Sequence, residues 1–124
     1  MIVIDSSFWL ELFAGTEYGK IINDNNDYLN GNFIVPTIII TEVYKKLLGE
    51  TNNYTALIYT TQMKVGKIVD LDFDLALNSA QMSTVYKLPI ADSIIYSTTI
   101  QFDATLLTLD KHFDGLPNVN YFKK

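Results

Sequence analysis

Four carboxylates stand out by where they fall in the chain. Asp5 follows Ile2-Val3-Ile4, Glu42 lies among Ile38, Ile39, Ile40 and Val43, Asp92 follows Leu88-Pro89-Ile90-Ala91, and Asp110 follows Leu106-Leu107-Thr108-Leu109. Carboxylates gathered in one place repel one another, so such a gathering is costly unless a cation or protons neutralise it. Oxygen donors without histidine or cysteine select Mg²⁺ or Mn²⁺ over zinc. An ion held that way activates water and stabilises the charge that develops in an in-line phosphoryl displacement. The chemistry open to Asp5, Glu42, Asp92 and Asp110 as ligands and catalytic groups is metal-dependent hydrolysis of a phosphodiester.

Each acid also has a plain structural use. Asp5 can cap the helix that follows it, for about 1 kcal/mol. Glu42 can pair with Lys46 at i,i+4 spacing, worth roughly a few tenths of a kcal/mol, although its apolar neighbours favour a site over open water. Asp92 sits in a first helical turn behind Pro89, where the helix dipole favours negative charge. Asp110 can close an Asx turn after a strand. Asp70, Asp72 and Asp74 read as turn and cap residues. Asp103 precedes a strand and belongs to the opposite sheet edge, and Asp114-Gly115 signals a turn near enough to Asp110 to leave a metal role open.

The elements that must position these groups can be read from apolar runs and breakers. Strands are expected at 2–4, 33–35, 67–71, 104–109 and 119–122. Helices are expected from the Asp5-Ser6-Ser7 cap to Gly15, over 17–29, from a Thr37 N-cap to 48, over 53–64, through Phe73 to Met82, and over 90–101. The 17–29 helix turns Tyr18, Ile21 and Ile22 inward, with Leu29 as a further candidate, while Tyr54, Leu57 and Ile58 follow the helical period in the 53–64 segment. Strands apolar throughout and separated by helices indicate an α/β fold: a three-layer α/β/α sandwich with a central, mostly parallel sheet of about five strands. Ligands bind such sheets outside the carboxyl ends of the strands. Asp5 and Asp110 therefore share an edge if their strands are neighbours.

The chain has 124 residues, which suits one domain spanning 1–124. Cysteine is absent, so no disulfide or thiolate site is available. Hydrophobic residues make up 48% and charged residues 19%, a balance for a packed globule rather than a disordered chain; order is expected everywhere except Lys123 and Lys124. The formal net charge is -5 and every basic residue is lysine, which excludes a sequence-independent DNA binder with an even positive coat. No apolar run approaches the roughly 18 residues needed to span a membrane. The start MIVIDSSFWL lacks a basic segment and is interrupted by Asp5, Ser6 and Ser7, so a cytoplasmic location without membrane contact is expected.

The segments MIVIDSSFWLELF, IVPTIIITEVYKKLLG, LPIADSIIYSTT and ATLLTLDKHFDGLPNV resemble, in order and spacing, the four signature blocks of PIN-domain ribonucleases, especially VapC-type toxins of toxin-antitoxin pairs. The resemblance implies a metal-dependent endoribonuclease in which Asp5, Glu42, Asp92 and Asp110 hold one or two Mg²⁺ or Mn²⁺ ions and activate the attacking water. Ser6 and Thr108 match hydroxyls that orient water or a carboxylate, or else serve as helix cap and strand-end hydrogen bond. Many family members carry another acid at the position of His112, which reads here as a surface or substrate contact. With no arginine in the chain, phosphate contacts fall to lysine, and Lys45, Lys46 and Lys111 lie nearest the acids in sequence. Lys64, Lys67, Lys123 and Lys124 read as solubilising. Tyr44, Tyr54 and Tyr59 could stack on unpaired bases or fill a partner interface. The family implies a cognate antitoxin seated in a groove of the second and fourth helix regions, and a homodimer. An acidic pocket on an arginine-free protein would attract a basic antitoxin side chain.

Two other readings fit parts of the pattern. A phospho-receiver module would need a phospho-acceptor such as Asp72 or Asp74, yet the first strand supplies Asp5 alone and no lysine stands where that fold needs one. A PIN-fold protein that matures RNA without a toxin role, or that only binds, shares the same blocks.

Overall fold

The computed structural model describes residues 1–124. In chain order the elements are β1 (Ile2–Ile4), α1 (Ser6–Ala14), α2 (Glu17–Asn23), α3 (Asn26–Leu29), β2 (Phe33–Pro36), α4 (Thr37–Glu50), α5 (Asn53–Thr61), β3 (Lys67–Val69), α6 (Phe73–Tyr86), α7 (Ile90–Gln101), β4 (Thr105–Thr108) and β5 (Val119–Tyr121). Short 3-10 turns span Gln62–Val65 and Lys111–Phe113. The five strands form one sheet in the order β3-β2-β1-β4-β5, with every neighbouring pair parallel. Helices cover it as an α/β/α sandwich.

This order has a functional consequence. The chain winds outward from β1 through β2 to β3 and then returns to the other side of β1 as β4. The carboxyl ends of β1 and β4 therefore flank the point where strand order reverses, the crevice in which such sheets bind ligands. Flavodoxin-like receivers have the order 2-1-3-4-5 instead. The phospho-receiver reading is overturned on topology, and Asp72 spends its carboxylate capping α6 by accepting from the Leu75 N–H at 2.9 Å.

The central strands are buried on both faces because helices lie on each side: Val3, Ile4, Ile34, Val35 and Leu106 are sealed from solvent with Phe8, Ile39, Val43 and Ile95. Trp9 packs edge-on to Phe33 and Tyr28 and lies against Phe13, which ties α1 to β2 and α3. Its indole N–H is buried without an acceptor, so the ring is held by packing alone. α2 crosses α1 closely at Gly19, where a Cβ would lie 2.5 Å from the Glu11 carbonyl oxygen. No helix is long and apolar enough to cross a membrane.

Several expectations need correction. The 17–29 segment is two helices, because the Asn25 side chain accepts from the Tyr28 N–H at 3.1 Å and starts a new turn, leaving Leu29 exposed. Pro36, not Thr37, is the N-cap residue of α4, and Thr37 is its first helical residue without a capping bond. In α5 the apolar period is real but faces outward: Tyr54 is 75% and Leu57 58% exposed, while Ala56 and Thr60 are buried. The strands β3 and β5 are not apolar throughout. Both are sheet edges, where Lys67, Ile68 and Asn120 remain exposed.

Candidate active site

Adjacent parallel pairing aligns Ile4 with Leu107, and the Asp5 N–H continues the ladder by donating to the Leu107 carbonyl at 3.0 Å. That bond places Asp5 at the end of β1 directly beside the end of β4. Asp5 is the N-cap residue of α1, yet its side chain makes no capping bond. Instead its Oδ2 accepts from the Thr108 hydroxyl at 2.7 Å and the Ser7 hydroxyl at 2.8 Å. Both hydroxyls also accept: Thr108 Oγ1 from the Asp110 N–H at 2.9 Å and Ser7 Oγ from the Leu109 N–H at 3.2 Å. The two strand ends are thus laced together through the carboxylate of Asp5, which is only 3% exposed.

The other acids arrive from three directions. Glu42 comes from α4, half-buried, with its Oε1 accepting from the Ser6 hydroxyl at 3.0 Å. Asp92 lies in the first turn of α7 with its side chain 14% exposed. Asp110 caps the following 3-10 turn by accepting from the His112 N–H at 2.9 Å, so its Asx-turn use is real. This turn carries the His112 ring back over the acids, with Nδ1 3.0 Å from Asp92 Oδ2 and 3.3 Å from Asp110 Oδ1. Asp5, Glu42, Asp92 and Asp110 line one open cleft of about 460 Å³ together with Ser6, Ser7, Glu11 and Lys124.

Burial and mutual repulsion act on this group together. Burial is the main force that pushes the Asp5 carboxyl above its ordinary range, with the nearby Asp110 charge adding to it, while the Thr108 and Ser7 hydroxyls pull it back. Glu42 is raised by burial and by the charges of Asp5, Asp92 and Asp110, against the Ser6 hydroxyl. Asp92 is raised by burial and then by Asp110, with His112 opposing. No lysine pairs with any of the four. The carboxylate oxygens of Asp92 and Asp110 and a ring nitrogen of His112 lie within 4.8 Å of one another and could hold a metal ion. Four carboxylates that no lysine pairs, with one imidazole beside two of them, fit a hard or borderline divalent ion.

Among the other expected residues, Ser6 and Thr108 do meet carboxylates, whereas the lysines divide. Lys45 and Lys46 border a separate depression beyond Glu42, and Lys46 is paired with Glu50 at 3.3 Å rather than with Glu42. Lys111 is exposed and does not line the acidic cleft. The lysine that does is Lys124, expected to be disordered and merely solubilising. It pairs with Glu11 and lies 5.6 Å from the centre of the Tyr18 ring, which accounts for its fixed position. Tyr59, half-buried, is stacked on Phe13, Tyr44 lines an apolar groove with Ile40, Leu57 and Ile68, and Tyr54 is exposed. Asp114 is exposed outside the cleft, and Asp103 lies in the turn before β4 at the opposite edge.

Sequence reasoning missed Ser7, Glu11 and the place of His112. The signal for Ser7 was its closeness to a strand-end acid. For His112 it was the two-residue step from Asp110, which an Asx turn folds back on itself.

The fold has close counterparts among solved structures. A chain of a toxin-antitoxin complex from Klebsiella pneumoniae superposes with a TM-score of 0.81 at 20% identity, covering 97% of this chain and 96% of that one. VapC20 of Mycobacterium tuberculosis, described as a Sarcin-Ricin loop cleaving toxin, gives 0.78 at 12% identity over 94% and 95% of the two chains. A chain of VapBC2 from Rickettsia felis, bound to a promoter DNA fragment, gives 0.75 at 16% identity over 99% and 100%. At these identities the likeness shows the fold. No curated protein matches the sequence significantly. The family model for the PIN domain matches residues 2–118, from the first residue of β1 to the turn before β5. With Asp5, Glu42, Asp92 and Asp110 all falling within that span, the chain belongs to the PIN domain family.

Proposed function

We propose that the protein, acting as one domain in the cytoplasm, is a metal-dependent endoribonuclease that hydrolyses RNA phosphodiester bonds and serves as the toxin of a toxin-antitoxin pair. The observation that carries this reading is the convergence of Asp5, Glu42, Asp92 and Asp110 in one cleft at the strand-order reversal, with no lysine paired to any of them. These four acids would hold one or two Mg²⁺ or Mn²⁺ ions. Such an ion supplies Lewis acidity toward the phosphodiester and lowers the proton affinity of water.

The chain's own residues do the rest. The Thr108 and Ser7 hydroxyls fix the rotation of the Asp5 carboxylate, and Ser6 fixes Glu42, so the acids need little reorganisation when substrate arrives. Asp92 and Glu42 are held above the ordinary carboxylate range by burial and by their acidic neighbours, a burden that a bound cation would relieve. Lys124, which lines the cleft and is shared with Glu11, and Lys45, in the depression beyond Glu42, are the cations nearest to phosphates upstream or downstream of the scissile bond. The toxin role rests on the described roles of structural neighbours that are toxins or chains of toxin-antitoxin complexes. An antitoxin partner would complement the acidic cleft with a basic side chain, and a homodimer accords with the outward apolar residues Phe73, Leu77 and Val85 of α6.

The test is cleavage of single-stranded RNA by purified protein. Activity should require Mg²⁺ or Mn²⁺, stop with EDTA, and fall on the order of 10²–10³-fold in Asp5→Asn and Asp92→Asn. Induced expression of the wild type, but not of these variants, should arrest growth. Cleavage in vitro without growth arrest would favour an RNA-maturation enzyme, and cleavage indifferent to EDTA would contradict the metal-dependent reading.

A further inference from the structure

The nuclease reading leaves open which ion the cleft prefers, and His112 bears on that. We infer that His112 is a metal ligand, so that the cleft presents a mixed oxygen and nitrogen set and selects a borderline first-row divalent ion such as Mn²⁺ over Mg²⁺. This inference rests on the metal-dependent reading of the same cleft and deepens it.

The geometry argues for ligation. His112 Nδ1 lies 3.0 Å from Asp92 Oδ2 and 3.3 Å from Asp110 Oδ1. Adjacent ligand atoms of an octahedral ion with bonds of about 2.1–2.3 Å are separated by about 3.0–3.3 Å. Nδ1 makes one hydrogen bond, to Asp92 Oδ2, and none to Asp110 Oδ1, whereas a shared ion would engage all three atoms. Ligation needs the lone pair on Nδ1 and the proton on Nε2. The Asp92 carboxylate holds a proton on Nδ1 while no ion is bound, and an incoming cation would displace it to Nε2, which no hydrogen bond of the protein holds. The ring is also aimed by the backbone, since the His112 N–H donates to Asp110 Oδ1 at 2.9 Å and ties the histidine to the acid beside which it would bind. At 53% exposed, the side chain leaves a path for an ion to enter.

Ligand chemistry then sets the preference. Mg²⁺ favours oxygen donors and keeps its waters, while affinity for a nitrogen donor begins with Mn²⁺ and rises along the first row, so imidazole adds more for Mn²⁺ than for Mg²⁺. A nitrogen in the set therefore raises affinity for Mn²⁺ while adding little for Mg²⁺.

Isothermal titration of the full chain with Mn²⁺ alone and Mg²⁺ alone, paired with pulsed electron paramagnetic resonance of the Mn²⁺ complex, tests this. The wild type should bind Mn²⁺ the more tightly and show nitrogen-14 coupling from a directly bound imidazole. His112→Ala should lose on the order of tenfold in Mn²⁺ affinity, change by less than about threefold for Mg²⁺, and lose the coupling, with its circular dichroism unchanged. Equal Mn²⁺ affinity in His112→Ala, or a wild-type spectrum without nitrogen coupling, would overturn the inference and leave the nuclease reading standing. A wild type that binds neither ion would overturn both.

Discussion

Asp5 concentrates the conflict between folding and chemistry. Its carboxylate is buried, its proton affinity is raised, and two hydroxyls hold it in place. A folded-state value above the ordinary 3.8 means that the folded chain binds this proton more tightly than the unfolded one. The stabilisation is fully present below that ordinary value and is lost as pH rises through the raised one, and Asp92 and Glu42 act in the same sense. Asp5→Asn removes the titration. In EDTA, urea unfolding should therefore show Asp5→Asn gaining on the wild type as pH increases from about 4 to 7, and saturating Mn²⁺ should return the advantage to the wild type. A difference between the two that is independent of pH would contradict the assignment of burial as the cause. Thr108→Val tests the support rather than the acid. Losing the hydroxyl that meets both Asp5 and the Asp110 N–H should cost about 1–3 kcal/mol in unfolding free energy, together with weakened Mn²⁺ binding. At this scale the four acids were legible because each follows a strand end or an apolar helix start. Ser7 and His112 were not, since their roles depend on the direction a hydroxyl or a ring takes after a turn.

Among the elements, legibility followed burial. The strands β1 and β2 stood out as unbroken apolar runs because helices cover both of their faces, while the edge strands β3 and β5, half-open to solvent, blurred at their ends. The apolar spacing of Tyr54, Leu57 and Ile58 correctly signalled a helix but misled about its orientation. Periodicity reports that a face exists, not which neighbour it meets, and here the small residues Ala56 and Thr60 pack inward. The junction of α1 and α2 offers a test that leaves Asp5, Glu42, Asp92 and Asp110 unsubstituted. Gly19→Ala would drive a methyl group into the Glu11 carbonyl and the Leu12 backbone, so it should destabilise the protein by about 1–3 kcal/mol. Thermal unfolding would register that loss. Mn²⁺ affinity of the folded variant should remain as in the wild type, because the clash falls on the backbone of Glu11 and Leu12, beyond the start of α1 that holds Asp5, Ser6 and Ser7.

For the molecule as a whole, a net charge of -5 with nine lysines and no arginine limits how RNA can be held. Part of that negative charge is gathered in the cleft, and one or two divalent ions would bring the total to about -3 or -1. Lys45, Lys46, Lys111 and Lys124 are the cations nearest the acids in sequence or in space, and two of these are already paired with Glu50 and Glu11. The salt dependence of RNA binding should thus be shallow: log KM for cleavage should rise with log salt at a slope of about 1.5–3, from two to four phosphate contacts. A slope well above that range would mean that a second positive surface, such as one formed by a partner or a second copy, takes part. The most direct test of the central claim is the chemistry of the cut ends. Hydrolysis by an activated water leaves a phosphate monoester and a hydroxyl, without passing through the 2′-hydroxyl of the RNA. End-group analysis of RNA cleaved in Mn²⁺ should therefore find no cyclic phosphate, and no cleavage at all in EDTA or by Asp92→Asn. Cyclic 2′,3′-phosphate ends that persist in EDTA would contradict the account.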